Sequence, residues 1–275
     1  MQITILTLFP DMVKPFFADS IIKRAQDKGL VSVRVVNFRD FAHGSHRTVD
    51  QPPYGGGAGM VLMVEPIVTA LRSLNLGGIG PSGAPATCGI PGTRVLLTSV
   101  AGRRYSQAVA REYARLDHLV LIAGHYEGVD DRIFDYVDGG VSIGDYVMTG
   151  GEIACAAIAD SVIRLLPGVL SKDGATDEES FFTVTLKELR KAVGPDEYLD
   201  ALSFRFRKAG RKDAEVRIQL LEYPHYTRPE EFEGKRIPQI LLSGHHRKIA
   251  TWRLQQAYKR TRTFRADLLD KLARE

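Results

Sequence analysis

The chain has 275 residues, of which 44% are hydrophobic and 25% charged, so its composition excludes a wholly disordered protein. No apolar run approaches the roughly 18 residues that a membrane-spanning helix needs. Two cysteines, Cys88 and Cys155, are too few for a disulfide framework or a cysteine-rich zinc cluster, which favours the reducing cytoplasm.

The first elements predict a strand, a helix and a second strand. Residues 3–9 and 31–38 are short apolar runs of the kind that buried strands show. Between them, Asp11 can cap a helix whose apolar side chains recur at helical spacing as far as Ala25, and Gly29 can end it. This order is typical of a parallel βαβ unit.

The same order returns further along the chain. We expect a strand at 94–98, a helix at 105–115, a strand at 118–123 and a longer apolar helix at 152–166. Together with the first unit, these elements predict an α/β domain over residues 1–170, built on a parallel sheet with helices on its faces.

The composition changes after residue 170. We expect residues 171–222 to form an interdomain linker with an insertion at about 183–219, because this stretch is highly charged and shows no clear core pattern. Residues 223–275 predict a smaller, mainly helical basic domain, with helices at about 247–261 and 265–274.

The charge of the chain is uneven. The net charge is +4, but residues 203–275 contain 18 Lys/Arg against 9 Asp/Glu, whereas the other 202 residues contain 19 against 24. This asymmetry favours a near-neutral catalytic body with a basic appendage for a polyanion. A solvated basic surface without a function is the alternative.

Residues 245–265 are the most basic helix that the sequence predicts, with seven Lys/Arg and no acid. Such a helix suits contacts with phosphates. Tyr258 shares a helical face with apolar residues and is expected in the core, whereas Trp252 lies nearly opposite and is the better candidate for a nucleotide contact. Either aromatic side chain could instead serve packing alone.

Three loops rich in glycine and polar residues follow predicted strands, at 98–104, 123–131 and 142–152. Ligands bind at the carboxyl ends of parallel strands, and glycines let the backbone approach them closely. The three loops therefore predict one shared site, although each could be only a tight turn. The dinucleotide and P-loop glycine fingerprints are missing from the sequence, which disfavours those enzyme classes.

Six motifs carry a closer resemblance: HRTVDQPPYGGGAGM at 46–60, GHYEGVDDR at 124–132, SIGDYVMTGGE at 142–152, DSVIRLLPGVL at 160–170, PHYTRPEEFEG at 224–234 and LLSGHH at 241–246. In this order they resemble the bacterial tRNA (guanine-N1)-methyltransferases of the knotted SPOUT class. The resemblance implies S-adenosylmethionine as methyl donor, a trefoil knot in the catalytic domain, and a homodimer with composite active sites. It also implies tRNA as substrate, methylated on N1 of the guanosine 3′ of the anticodon.

The resemblance also implies the site residues. Arg164 matches the catalytic arginine of the family. A Mg²⁺ ion is suggested too, and Glu127 is a candidate contributor although the sequence shows no cluster of metal ligands. The residues implied for the cofactor are Leu97, Thr98, Ser99, Gly124, Tyr126, Glu127, Ile143, Gly144, Asp145, Tyr146, Val147, Met148, Gly150 and Gly151.

The general base is where this sequence departs from the family. The family has an aspartate directly before a Ser-Phe pair, and Glu179 occupies that position here, with Asp177 two residues earlier. The extra methylene of Glu179 extends its reach by about 1.5 Å. We favour Glu179 by register, and Asp177 remains the alternative.

Two other functions stay open at this point. The altered acid could leave an RNA-binding protein of SPOUT fold with impaired or altered methyltransferase specificity. A SPOUT enzyme acting on another RNA is the second, which the motifs at 224–234 and 241–246 disfavour. The sequence does not decide whether the segment at 183–219 contacts RNA.

Overall fold

The computed structural model describes residues 1–76, 90–170 and 179–270. The chain divides into two compact units, Met1–Asp173 and Gly174–Glu275. Among the described residues, no helix is both long enough and apolar enough to cross a membrane.

The first unit is built on a five-stranded sheet with the order β2-β1-β6-β5-β7, in which every neighbouring pair is parallel. A separate antiparallel pair, β3 and β4, lies outside it. The strands are β1 (Gln2–Thr7), β2 (Ser32–Asn37), β3 (Asp50–Gln51), β4 (Val61–Leu62), β5 (Thr93–Arg104), β6 (His118–Ile122) and β7 (Gly139–Ser142). The predicted parallel α/β sheet is confirmed.

Helices complete the first unit, together with short 3₁₀ turns at Lys14–Ala18, Phe38–Phe41 and Asp131–Asp135. The helices are α1 (Pro10–Val13), α2 (Ser20–Asp27), α3 (Val64–Ser73), α4 (Gln107–Tyr113) and α5 (Glu152–Ile163). The last of these matches the apolar helix that the sequence predicts from Glu152, although it ends three residues earlier.

Both faces of the sheet are buried. Successive residues of β6 alternate between two clusters: Leu119 and Leu121 lie in one, Val120 and Ile122 in the other. The first cluster contains residues of α2, α4 and α5, and the second contains residues of α3. A strand covered on both faces needs apolar side chains at every position, which explains the unbroken run LVLI.

The single helix predicted from Asp11 to Ala25 is wrong. The structure breaks it into α1, a 3₁₀ turn and α2. Pro15 has no N–H to donate within a continuous helix. Asp19 then adopts an extended backbone, and its side chain accepts a hydrogen bond from Ser20 N at 2.6 Å, so a new helix begins there.

The second unit combines helices with short strands. Its strands are β8 (Phe182–Thr185), β9 (Arg217–Leu220), β10 (Glu231–Phe232) and β11 (Lys235–Arg236), paired antiparallel as β8-β9 and β10-β11. Its helices are α6 (Leu186–Val193), α7 (Glu197–Lys208), α8 (His246–Phe264) and α9 (Asp267–Asp270), and Gln239–Leu242 is a 3₁₀ turn.

The interpretation of residues 183–219 as part of a coreless linker is wrong. Leu186, Leu189, Leu199 and Ile218 are at most 1% exposed and share one core with Tyr258 of α8. A capping box between Thr185 and Glu188 also starts α6. These residues are folded elements of the second unit. Residues 171–178, which the predicted linker also includes, lie outside the described residues.

Candidate cofactor site and basic surface

The three glycine-rich segments meet beside Thr98, which lies within β5, and after the carboxyl ends of β6 and β7. The hydroxyl of Thr98 donates a hydrogen bond to the carbonyl of Ile122 at 3.0 Å and accepts one from Gly124 N at 3.3 Å. The carbonyl of Gly124 in turn accepts a hydrogen bond from Gly151 N at 2.7 Å. One residue from each loop therefore belongs to a single network.

The backbone at position 151 lies so close to Thr98 and Gly124 that only glycine fits there. A Cβ atom there would lie 2.0 Å from Thr98 Oγ1 and 2.9 Å from Gly124 N, both closer than van der Waals contact allows. The backbone of Gly151 thus packs directly onto Thr98 of β5 and onto the residues that follow β6. This close packing is the role that the glycine-rich motif suggests.

Strand β5 has an interruption beside the same site. Its pairing with β7 runs to Thr98↔Val141 and resumes at Arg103↔Val141, so the four residues between leave the ladder and return. A Cβ atom on Gly102 would lie 2.2 Å from Val141 N. The segment predicted as a loop at 98–104 is therefore an excursion within a longer strand.

The residues that the resemblance implies for the cofactor differ in burial: some are buried or half-buried and the others are exposed. Leu97 and Gly151 are buried. The half-buried ones are Thr98, Ser99, Gly124, Ile143, Gly144 and Gly150, and the exposed ones are Tyr126, Glu127, Asp145, Tyr146, Val147 and Met148. The exposed set includes four consecutive residues, 145–148, on the loop between β7 and α5.

The motif at 46–60 also reaches this site through its last residues. Met60 accepts a hydrogen bond from Glu127 N at 3.1 Å, and Leu62 N donates one to the carbonyl of Gly128 at 2.9 Å. A Cβ atom on Gly59 would lie 2.4 Å from Cγ of Glu127. Two motifs that are far apart in sequence are thereby packed together.

A buried polar cluster beside the loops was not predicted. Glu152, only 1% exposed, accepts a hydrogen bond from the hydroxyl of Thr7 at 2.8 Å, and its other oxygen lies 3.5 Å from His125 Nδ1. The ring of Phe9 packs on His125 with centroids 4.6 Å apart. The signal in the sequence was an acidic residue at the start of a mostly apolar helix.

The catalytic candidates lie in different units. Arg164 directly follows α5 and is half-buried, and its N–H donates a hydrogen bond to the carbonyl of Asp160 at 3.1 Å. Glu179 belongs to the second unit, where its carbonyl accepts a hydrogen bond from Phe182 N at 2.9 Å. Asp177 lies outside the described residues.

Cys155 is fully buried in α5. Burial raises the pKa of its thiol far above the ordinary value, and the nearby Glu152 acts in the same direction. A thiol in this state is a poor nucleophile, so covalent catalysis by Cys155 is disfavoured.

Helix α8 presents cations around a buried stripe. Tyr258 is 3% exposed and its hydroxyl donates to Asp196 Oδ1 at 2.8 Å, so its predicted place in the core is confirmed. Trp252 is half-buried, with its ring centroid 6.4 Å from that of Tyr226. Lys259 and Arg260 are exposed. A surface of this kind suits a polyanion.

Comparisons with known proteins agree with the motifs. The family model described as tRNA (Guanine-1)-methyltransferase TrmD matches residues 1–199 and 207–271. The tRNA (guanine-N(1)-)-methyltransferase of Geobacillus kaustophilus HTA426 is 43% identical, over 98% of this chain and 92% of its own. Enzymes with the same name from Shouchella clausii KSM-K16 and Dictyoglomus turgidum DSM 6724 are 43% and 42% identical, each over 98% of this chain and 91% of their own.

Proposed function

The chain belongs to the tRNA (guanine-1)-methyltransferase family, and we propose that it methylates N1 of the guanosine immediately 3′ of the anticodon in tRNA. S-adenosylmethionine is the methyl donor that this family uses. The observation that carries the proposal is the hydrogen-bonded junction of the three glycine-rich loops, because it brings together the motifs by which the sequence resembles the family.

The residues at this junction fit the cofactor. Gly151 leaves no space for a side chain against Thr98 and Gly124, so the backbones of the loops lie close together there. Backbone N–H and C=O groups can recognise an adenine edge without charged side chains. We assign Leu97, Thr98 and the exposed segment at 145–148 to holding S-adenosylmethionine, which supplies a methyl group on a positively charged sulfur when bound.

The protein must remove the proton that guanine carries on N1. A carboxylate can accept that proton, and a cation can stabilise the negative charge that develops on O6. We assign the second task to Arg164 and the first to Glu179, with Asp177 as the alternative. The placement of the carboxylate and the guanidinium matters more than their basicity or charge, because a misplacement of about 1 Å can cost roughly a hundredfold in rate.

We further propose that the first unit contains the trefoil knot of the SPOUT class. The excursion of β5 between Thr98 and Arg103, and the packing of Gly151 onto Thr98 and the residues after β6, support this. We also propose a homodimer whose active sites combine residues of both chains. A cytoplasmic location follows from tRNA as the substrate.

A metal ion has no assigned role in this chemistry. In the part of the chain that the structure describes, no group of three or more His, Cys, Asp or Glu side chains could hold a metal ion. Glu127 is therefore a candidate contributor to a Mg²⁺ site through the family resemblance alone.

The identity of the product tests the proposal. Unmodified tRNA would be incubated with the enzyme and labelled S-adenosylmethionine, digested to nucleosides, and separated by chromatography with mass detection. We expect the label in 1-methylguanosine. Label in another methylated nucleoside would overturn the assignment to N1, and an unlabelled tRNA that still binds would favour an RNA-binding protein without turnover.

A further inference from the structure

Helix α7 ends in a cluster of exposed cations. Lys208 is the last residue of the helix, and Arg211 and Lys212 follow in the turn after it. We call these three residues the α7 basic end. One helical turn before Lys208, the ring of Phe204 is 72% exposed. Exposed cations beside an exposed aromatic ring form a surface that suits nucleic acid.

Other cations of α7 are already paired. Arg205 lies 3.3 Å from Asp270, and Arg207 lies 3.1 Å from Asp213. Within the described residues, no ion pair engages Lys208, Arg211 or Lys212. Their charges are therefore available to an external anion.

Asp213, which directly follows Lys212 in the chain, is already engaged by other side chains. Burial raises the pKa of the Asp213 carboxyl, but hydrogen bonds from Arg207, Ser203 and Arg190 outweigh it and lower the pKa to about 2. Glu215 is exposed and accepts a hydrogen bond from the backbone N–H of Lys212 at 3.2 Å. The three cations still outnumber the one exposed acid beside them.

The backbone holds the α7 basic end in place. Gly210, with φ at +77°, ends the helix, and its N–H donates to the carbonyl of Arg207 at 2.9 Å. The N–H of Arg211 donates to the carbonyl of Phe206 at 3.0 Å. These bonds close a C-terminal cap and direct the chain away from the helix axis. A fixed backbone lowers the entropic cost of binding through these side chains.

A favourable interaction with the dipole of α7 explains only one of the three cations in the α7 basic end. Cations in the last turn interact favourably with the helix dipole, which accounts for Lys208. That effect falls off beyond the last turn, so it does not account for Arg211 and Lys212. The family match stops at residue 199 and resumes at 207, so Phe204 lies outside both matched stretches, whereas the α7 basic end lies within the second.

We propose that the α7 basic end is an accessory surface that binds backbone phosphates of the tRNA substrate. This inference rests on the proposed function, which supplies the polyanion. Phosphate contacts add affinity and position the RNA without reading its sequence. The surface would therefore act on tRNA binding and leave the chemistry of methyl transfer unchanged.

The test compares two triple variants of the full-length protein. K208A/R211A/K212A removes the α7 basic end, and R24A/K28A/R34A removes three exposed cations from the first unit as a control of equal charge. Binding of an unmodified tRNA transcript would be measured from about 0.05 to 0.2 M salt. We expect the first variant to bind about tenfold or more weakly, with a salt slope smaller by about one for each phosphate that is no longer neutralised, and the control to match wild type.

Further readouts separate binding from folding and from catalysis. The unfolding temperature of both variants should stay at the wild-type value, and K208R/R211K/K212R, which keeps the charges, should keep the affinity. The affinity for S-adenosylmethionine and kcat at saturating tRNA should not change. Equal tRNA affinities and salt slopes for the two alanine variants would overturn this proposal alone. Wild-type protein that binds tRNA but transfers no methyl group would count against the proposed function alone.

Discussion

The hydroxyl of Thr7 donates a hydrogen bond of 2.8 Å to the carboxylate of Glu152, joining the end of β1 to the first turn of α5. The same hydroxyl accepts a hydrogen bond from Phe9 N at 2.9 Å. A negative charge in the first turn of a helix also interacts favourably with the helix dipole. This contact fixes the start of α5 next to Gly151 and so supports the candidate cofactor site.

Replacing Thr7 by valine should destabilise the first unit. The change leaves a buried carboxylate oxygen and a backbone N–H without this partner, which costs about 1–3 kcal/mol. Urea unfolding would measure the loss, and Thr7→Ser, which keeps the hydroxyl, is the matched control. Equal stabilities of the valine and serine variants would show that the hydrogen bond contributes nothing.

Gly151→Ala should damage the cofactor site. The added methyl group would lie 2.0 Å from Thr98 Oγ1, so the loop must move. We expect the affinity for S-adenosylmethionine, measured by calorimetry, to fall about tenfold or more, with a stability loss of about 1–3 kcal/mol. Gly124→Ala is the control for stability, since its methyl group would meet the carbonyl of Thr98 at an ordinary 3.4 Å. A Gly151→Ala protein with wild-type cofactor affinity would contradict the assigned site.

Arg164→Ala should slow methyl transfer while cofactor binding stays nearly intact. Loss of one group that stabilises developing charge typically costs roughly 10²–10³ in kcat. Arg164→Lys keeps the charge but not the planar guanidinium and should recover only part of the rate. Single-turnover kinetics would measure both variants. Near-normal turnover of the alanine variant would remove Arg164 from the mechanism.

The two acids before the Ser-Phe pair should differ in their effect on the rate. We expect Glu179→Ala to abolish most of the methyl transfer, because the general base is then missing. Asp177→Ala should keep the wild-type rate of transfer. Rates at several pH values would be compared with those of wild type. The opposite result would assign the base to Asp177, and full activity of both variants would exclude this segment as its source.

Asp213 should make the second unit sensitive to acid. Its pKa lies at about 2 in the folded protein against an ordinary value of 3.8, so its ionised form stabilises the fold above about pH 4. That contribution, on the order of 2 kcal/mol, is lost as the pH falls from about 4 towards 2. Asp213→Asn should therefore lower the unfolding free energy at pH 6 and do so less at pH 3, whereas Glu230→Gln, an exposed control, should change little at either pH.

Much of the first unit could be predicted from its sequence. The apolar runs of β1 and β6 stand out because both faces of these strands are covered. The contact between Thr7 and Glu152 could not be predicted in this way, since the two residues lie in elements whose distance depends on the folded topology. Periodicity alone likewise gave no reason to break the first helix at Asp19.

The second unit was harder to predict for a different reason. Its core positions, such as Leu186, Leu189, Leu199 and Leu202, are separated by charged residues, so no continuous apolar run marks them. Each helix is amphipathic and becomes stable only against its neighbours. The motifs of the candidate site were more visible, because close backbone contacts demand glycine at particular positions such as Gly151.

The most direct test of the proposed function is methyl transfer to two tRNA transcripts that differ at one position. One has guanosine and the other adenosine immediately 3′ of the anticodon, and labelled S-adenosylmethionine reports the transfer. We expect label in the guanosine transcript alone. Equal label in both transcripts, or none in either while the cofactor still binds, would contradict the proposed function.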